Sequence, residues 1–230
     1  MRPSTPVLLL SLGALAFSAC APAPRTTAQT KPATAPVKTP VKPAPTPAPT
    51  TSYTTLPYLA DKPATSYTAA GKVVQPGKKY RALMTTSKGA VTIDLDAVAA
   101  PIAVNSFVFL ALNHFYDGLK FHRVIAGFVA QGGDPTGTGA GGPGYSFITE
   151  TTPTAKFDSA GVLGMARAQS RSSNGSQFFI TLAPAPFLNG DYSVFGKVSS
   201  GLEAVNALTK TENGSPPADT IVKVEIQVAN

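Results

Sequence analysis

Proline density decides where this chain can fold. Nine of the thirty residues 21–50 are proline, and this stretch contains no aromatic side chain. Proline has no N–H to donate, and a segment with so few large apolar side chains gains too little from burial to offset the entropy lost on ordering. We therefore predict an extended, disordered tether here and look for the folded part on its C-terminal side.

Net charge is distributed unevenly along the 230 residues. Residues 1–79 hold nine Lys/Arg and one Asp, a net charge of +8, whereas residues 80–230 hold ten Lys/Arg and eleven Asp/Glu, a net charge of −1. A nucleic-acid-binding domain carries its positive charge on the folded face that meets phosphates. The distribution therefore argues against nucleic acid as a partner, although the whole chain is basic.

The first twenty residues have the layout of an export signal. Arg2 supplies a positive charge, residues 7–17 form an apolar run too short to span a bilayer, and small residues follow. The only cysteine, Cys20, ends the motif Phe-Ser-Ala-Cys, which resembles a bacterial lipobox with phenylalanine in place of the commoner leucine. Because a lone cysteine cannot form an internal disulfide, we expect Cys20 to carry a lipid. Ordinary cleavage near Ala19 or Ala21 is the alternative.

Three segments follow from these features. They are a lipoprotein signal peptide at 1–20, a Pro/Ala/Thr/Lys-rich disordered tether at 21–79 and a folded domain at 80–230. Residues 51–79 are assigned to the tether because they show no sustained hydrophobic period. We expect an exported protein of the bacterial cell envelope, anchored to a membrane through lipid at Cys20.

Alternating hydrophobicity begins at Tyr80. Two runs, residues 80–85 and 90–95, flank Ser87-Lys88-Gly89, a pattern typical of a β-hairpin. Many short strands with two helices favour a mainly β domain of about 150 residues, either a closed barrel or a sandwich. The further predicted elements are a helix beginning near Pro101, strands at 121–125, 128–131, 162–166, 177–181, 194–198 and 221–228, and a second helix at 202–208.

Several common kinds of site do not fit their sequence context. The stretch GTGAGGPG at 137–144 contains GxGxxG twice, but five glycines and a proline cannot propagate the helix that a dinucleotide motif must open. We predict a structured loop beside a site instead. The two histidines, His114 and His122, have no zinc-ligand spacing, and Ser176 does not lie in GxSxG. We therefore expect no metal and no cofactor.

Arg123 is a candidate functional residue in the segment FHRVIAGFVAQGGD, residues 121–134. A turn at Ala126-Gly127 would place Arg123 across from Gln131, and an arginine held by an amide presents a fixed fork of donors to a ligand. The alternative is an arginine on a solvated face with its stem packed on apolar neighbours. The hairpin alone is equally compatible with both interpretations.

The wider sequence resembles one family. The segments FHRVIAGFVAQGGD, GTGAGGPGYSF, GVLGMARAQS, NGSQFFITL and PFLNGDYSVFGKV occur in the order and approximate spacing of the cyclophilins, which are peptidyl-prolyl cis-trans isomerases. The resemblance covers about residues 80–229. It implies a closed eight-stranded antiparallel β-barrel capped by two α-helices, with the active groove on one outer face.

The resemblance also implies a set of site residues, transferred motif by motif. They are the catalytic arginine Arg123; the proline-pocket residues Phe128, Val129, Phe179 and Leu188; the polar groove residues Gln131 and Gln177; the loop glycine Gly139; and the segment along the substrate backbone, Ala166, Arg167 and Ala168.

Three substrate-binding positions depart from the family pattern. Phe187 stands where tryptophan is common, Tyr192 where histidine is common and Arg167 where asparagine is common. The change to Phe187 removes an indole N–H donor, which bears on the binding of cyclosporin, the family's inhibitor, rather than on catalysis. We expect Arg167 to be tolerated if this position works through its backbone groups.

The resemblance implies an enzyme that rotates X–Pro peptide bonds. Its partners would be proline-containing unfolded or partly folded polypeptides, and it would act as a monomer that assists the folding of envelope or exported proteins. Two alternatives remain: a tethered module that binds proline-containing segments with little turnover, and a structural envelope lipoprotein. Because residues 21–71 are poor in apolar side chains, we expect their deletion to leave activity within about twofold.

Overall fold

The structure is a computed structural model that describes residues 51–211 and 218–230. Most of the regular secondary structure in these residues is β-strand. The predicted signal peptide with Cys20, and the predicted tether residues 21–50, lie outside the described residues. The described residues form the following elements: β1 (Tyr53–Thr55), β2 (Tyr80–Thr86), β3 (Gly89–Leu95), α1 (Pro101–Leu112), β4 (Arg123–Ile125), β5 (Val129–Gly132), β6 (Val162–Met165), β7 (Phe178–Thr181), a 3-10 helix (Pro186–Leu188), β8 (Val194–Ser200), α2 (Leu202–Asn206) and β9 (Ile221–Ala229).

The strands form one antiparallel sheet in the order β1-β9-β2-β3-β8-β6-β7-β5-β4. The prediction of a mainly β fold with two helices is confirmed. The described residues form nine strands where eight were predicted, because β1 pairs with part of the free edge of β9, and no strand ladder joins β4 to β9 to close the sheet. An isolated bridge between Lys120 and Thr220 connects the segment before β4 to the start of β9, and the Ile221 N–H donates to the Leu119 carbonyl over 2.8 Å.

The apolar core lies between the sheet and α1. Alternate residues of β2 are buried, as a strand with one face towards a core requires. Phe107 of α1 lies at the centre, with ring centroids 4.9 Å from Tyr116, 5.7 Å from Phe178 and 5.5 Å from Phe195. Truncating such a buried ring typically costs about 3–5 kcal/mol of folding free energy. This packing fixes the core-facing side of β7, and the opposite face of β7 carries part of the candidate site.

The predicted hairpin and helices are present with small shifts in their ends. The hairpin of β2 and β3 closes at the pair Thr86 and Gly89, and α1 begins at Pro101 as predicted. The second helix ends at Asn206 rather than at residue 208. Neither of these helices, nor any other in the described ranges, combines the length and the apolar composition of a membrane-crossing helix.

Residues 51–79, here called the N-terminal extension, are not the free linker that the sequence analysis predicted. The segment β1 pairs with β9, the Leu56 N–H donates to the Ile226 carbonyl over 2.8 Å, and the Leu59 N–H donates to the Leu112 carbonyl over 2.7 Å. Leu56, Tyr67, Val73 and Val74 of the extension pack against the apolar core, and these contacts with residues far away in the sequence require no hydrophobic period within the extension. The described residues from 51 onward therefore belong to one compact unit.

Candidate active site

A cavity of about 220 Å³ lies over β5 and β7, and we call it the groove. All of the residues that line it belong to the set implied by the sequence. They are Arg123, Phe128, Val129, Gln131, Ala166, Arg167, Phe179, Leu188 and Tyr192. The structure thus gathers residues from five separate segments of sequence around one opening.

Strand alternation explains why these side chains face the groove. In β5, Ala130 packs into the main core, whereas Val129 belongs to a second, smaller apolar cluster. In β7, Phe178 and Ile180 are core residues, and Phe179 between them joins Val129 in the second cluster. Because neighbouring side chains of a strand point to opposite faces, the same two strands close the core and build the groove.

The apolar end of the groove is a layered aromatic cluster. Phe179 stacks on Phe157 with ring centroids 5.4 Å apart, and it meets Tyr192 edge-on at 5.8 Å. Phe157 is fully buried, and its N–H donates to Asn189 Oδ1 over 2.7 Å. Sequence reasoning missed Phe157, since it lies in a loop without periodicity. A Cβ atom at Gly164 would overlap both Phe157 and Phe179, so only glycine fits there.

The rim of the apolar end carries an exposed aromatic side chain. Phe187, at the predicted position in the 3-10 helix, is 69% exposed and lies 5.6 Å from the Phe128 ring. The Arg123 guanidinium carbon lies 5.7 Å from the centroid of the same Phe128 ring. The rim therefore places an apolar surface and a cation next to each other at the opening.

A chain of side-chain amides orients Arg123. Arg123 and Gln131 are direct partners across β4 and β5, as predicted, and Arg123 Nη1 lies 3.4 Å from Gln131 Oε1. Gln131 Nε2 donates to Gln177 Oε1 over 2.9 Å. Gln177 Nε2 donates in turn to the carbonyls of Gly139 (3.0 Å) and Gly141 (2.8 Å). This chain connects the groove to the glycine loop, defined here as residues 137–144.

Asp134 organises the start of the glycine loop. It is fully buried, and its carboxylate accepts hydrogen bonds from the Thr136 N–H, the Thr136 hydroxyl and the Gly139 N–H. Burial raises the pKa of Asp134, but the hydrogen bonds from Thr136, Gly141 and Gly139 outweigh it and lower the pKa to about 2. The loop is thus folded around a buried carboxylate. Sequence reasoning missed this residue, although the Asx-turn pattern of aspartate two residues before threonine was a usable signal.

Arg167 joins the two backbone segments on the other side of the groove. Its Nε donates to the Asp191 carbonyl over 3.0 Å, and its Nη1 donates to the carbonyls of Ala168 (3.0 Å) and Gln169 (2.9 Å). Its guanidinium carbon lies 4.8 Å from the centroid of the Tyr192 ring. Arg167 and Tyr192, which both depart from the family pattern, therefore contact each other.

The groove can bind and polarise a ligand, and among the described residues its lining contains no carboxylate, imidazole or thiol group. Its two charged side chains, Arg123 and Arg167, are cations. His122 immediately precedes β4 and is not among the residues that line the groove, and burial lowers its pKa. Among residues 51–211 and 218–230 no cluster of three His, Cys, Asp or Glu side chains could hold a metal ion. The arrangement suits a reaction that needs shape and hydrogen-bond donors.

Comparison with known proteins identifies the class. The fold and the groove are those of a cyclophilin-like protein. The family model described as cyclophilin type peptidyl-prolyl cis-trans isomerase/CLD matches residues 81–228, so the chain belongs to this family. It is accordingly a peptidyl-prolyl cis-trans isomerase, which binds proline-containing polypeptides.

Relatives come from bacteria and eukaryotes. The chain is 54% identical over 113 residues to peptidyl-prolyl cis-trans isomerase B of Bacillus subtilis, which covers 49% of this chain and 78% of the relative. It is 46% identical over 137 residues to a peptidyl-prolyl cis-trans isomerase of Helicobacter pylori, covering 60% and 83%. A crystal structure of a cyclophilin-type isomerase from Cryptosporidium parvum aligns with a TM-score of 0.61 at 36% identity, over 64% of this chain and 97% of that one.

Proposed function

We propose that this isomerase is a membrane-tethered enzyme of a bacterial cell envelope and that it acts as a monomer on exported proteins. The groove carries the catalytic part of the proposal, because an apolar pocket lies beside an arginine oriented by amides. The export-signal pattern that ends in Cys20 carries the part about location.

The chemistry requires little beyond binding. Rotation about an X–Pro bond breaks amide resonance, which sets a barrier of roughly 18–20 kcal/mol. Because no bond is made or cut, an enzyme needs only to bind the twisted amide more tightly than the planar forms. The described lining of the groove contains no carboxylate, thiol or imidazole, which agrees with such a reaction.

Each part of the groove then has one task. The pocket of Phe128, Val129, Phe179 and Leu188 holds the prolyl ring, while residues 166–168 hold the flanking backbone of the substrate. Arg123 donates hydrogen bonds to the prolyl carbonyl and favours a pyramidal prolyl nitrogen. A donor that is oriented before the substrate arrives stabilises the charge shift of the twisted state without reorganisation. The same groove without Arg123 would be a binding module with little turnover.

Location follows from the first fifty residues. A diacylglyceryl group on Cys20 would supply more than one acyl chain, which is what stable membrane attachment requires. The proline-rich composition of residues 21–50 favours a chain that rises about 3 Å per residue, so the anchor would leave the enzyme several tens of Å of reach.

The experiment replaces Cys20 with serine in the full chain. We expect the wild-type protein to fractionate with membranes and to incorporate labelled fatty acid, and the Cys20→Ser protein to lose both properties. Isomerase activity on an X–Pro peptide serves as the control and should be equal in the two proteins. A Cys20→Ser protein that still fractionates wholly with membranes would contradict lipid anchoring at this residue.

A further inference from the structure

We propose that the N-terminal extension is a positioning element of the active groove and that Tyr67 and the residues beside it brace the glycine loop. The extension lies outside residues 81–228, which the family model matches. The effect on catalysis rests on the proposed role of Arg123. The contact itself does not depend on that role, because it involves a segment that precedes the residues matched by the family model.

The extension and the glycine loop touch backbone to backbone. The Tyr67 N–H donates to the Pro143 carbonyl over 2.7 Å. Gly144 has a φ of +90°, and a Cβ atom there would overlap the Ser66 hydroxyl and the Tyr67 carbonyl. Glycine at 144 therefore meets two requirements, a left-handed backbone and a close approach of another chain segment.

Tyr67 is itself fixed to α1 and to the segment that follows it. Its ring lies edge-on to Phe109 of α1, with centroids 5.1 Å apart, and 6.4 Å from the ring of Phe115. A few residues further on, Asn105 of α1 donates to the Gly71 carbonyl and accepts from the Val73 N–H, both over 2.9 Å. The extension therefore connects α1, which is rigidly packed, to the glycine loop.

The glycine loop needs such a brace because of its composition. Five of its eight residues are glycine, and glycine loses more backbone entropy on ordering than any other residue. Asp134 fixes the beginning of the loop through Thr136 and Gly139. The contact with Tyr67 fixes its end at Pro143. The two carbonyls that accept from Gln177 belong to Gly139 and Gly141, whose backbones Asp134 holds on one side, while the Tyr67 contact at Pro143 holds the chain that follows them.

The loop in turn determines the position of Arg123. Gln177 is held by the carbonyls of Gly139 and Gly141, Gln131 is held by Gln177, and Arg123 lies against Gln131. If the end of the loop moves, this amide chain loses its fixed acceptors and the guanidinium loses its orientation. A catalytic donor displaced by about 1 Å can cost a large part of the rate enhancement. The extension thus acts on the reaction through the loop, without touching the substrate.

The central test is Gly144→Ala in the full-length protein. We expect kcat/KM for an X–Pro peptide to fall on the order of tenfold, mainly through kcat, because the added methyl separates the loop from Tyr67. Gly142→Ala is the matched control within the loop, since a Cβ there meets nothing within 4 Å. Gly118→Ala controls for strain, because Gly118 has a φ of +78° and equally open surroundings. Both controls should keep kcat/KM within about twofold, although Gly118→Ala should lower the Tm.

A second pair of variants examines the anchor. Tyr67→Ala removes the ring that packs on Phe109 and should lower kcat/KM, whereas Tyr67→Phe keeps the ring and should retain wild-type activity. The Tyr67 hydroxyl is buried without a hydrogen-bond partner in the described residues, so its removal is not expected to harm the packing.

The NMR signal of the Gln177 side-chain amide separates positioning from general destabilisation. Its two acceptors lie in the glycine loop, so the signal should shift or broaden in Gly144→Ala and Tyr67→Ala and remain in place in Gly118→Ala. If Gly144→Ala and Tyr67→Ala keep both the wild-type kcat/KM and the wild-type Gln177 signal, the inference is wrong. If the signal changes but Arg123→Ala proves fully active, the bracing stands and the proposed role of Arg123 fails.

Discussion

Arg123 is the residue that distinguishes catalysis from binding in this groove. Its side chain is exposed, and its contacts are the Gln131 amide and the Phe128 ring. Such a residue contributes little to the core, so its removal should be visible in the reaction rather than in folding. The neighbouring apolar residues have the opposite character, since most of them are buried.

We therefore expect Arg123→Ala to lower kcat/KM by on the order of 10²-fold while the melting curve stays unchanged. The loss of one preorganised donor typically has an effect of this size. Arg123→Lys should recover only part of the activity, because an ammonium group cannot reproduce the planar guanidinium fork. Protease-coupled isomerisation of an X–Pro peptide measures the rate. Wild-type turnover by Arg123→Ala would show that Arg123 is not the catalytic donor.

At the scale of elements, the groove is built on two aromatic layers with different tasks. Phe157 is fully buried beneath Phe179, whereas Phe187 is 69% exposed beside Phe128. The inner layer supports the pocket, and the outer layer offers surface to the substrate. Truncating each layer should therefore have separable effects.

We expect Phe157→Ala to lower the free energy of unfolding by about 3–5 kcal/mol, because it leaves a cavity under Phe179. Phe187→Ala should change that free energy by less than about 0.5 kcal/mol, as surface substitutions usually do, and should raise KM instead. Urea denaturation and steady-state kinetics on both variants check this. Equal stability losses in the two proteins would contradict the two-layer description.

The strands of the sheet could be predicted from the sequence, whereas the packing of the N-terminal extension could not. Strands β2 to β9 have alternating or continuous apolar runs, and each was predicted to within about two residues. The groove residues were predicted from the motifs that the chain shares with the cyclophilins, and in the structure they line one cavity. Strand β1 has only three residues, Leu56 and Tyr58 contact β9, and Tyr67 packs on α1. Contacts made with distant partners leave no local period, so the extension could not be recognised from its own sequence.

In the whole molecule, the packed N-terminal extension places the start of the folded part earlier in the chain than the sequence predicted. The prediction placed the folded domain after residue 79, but the described residues from 51 onward form part of the compact unit. The excess positive charge still lies before residue 80, in a region that now comprises a packed extension and the proline-rich residues 21–50. The two parts should therefore respond differently to deletion, and deletion of residues 21–71 should be harmful.

We expect deletion of residues 22–46 to leave both the Tm and kcat/KM within experimental error of the wild type, because this stretch has too few apolar side chains to contribute to a core. Deletion of residues 51–71 should lower the Tm by several degrees, since it removes the β1 pairing with β9, the stacking of Tyr58 on His114 at 3.7 Å and the packing of Tyr67. Calorimetry and the peptide assay on both proteins, each made in the Cys20→Ser background, provide the measurement. Equal melting temperatures would show that the extension packs on the barrel without stabilising it.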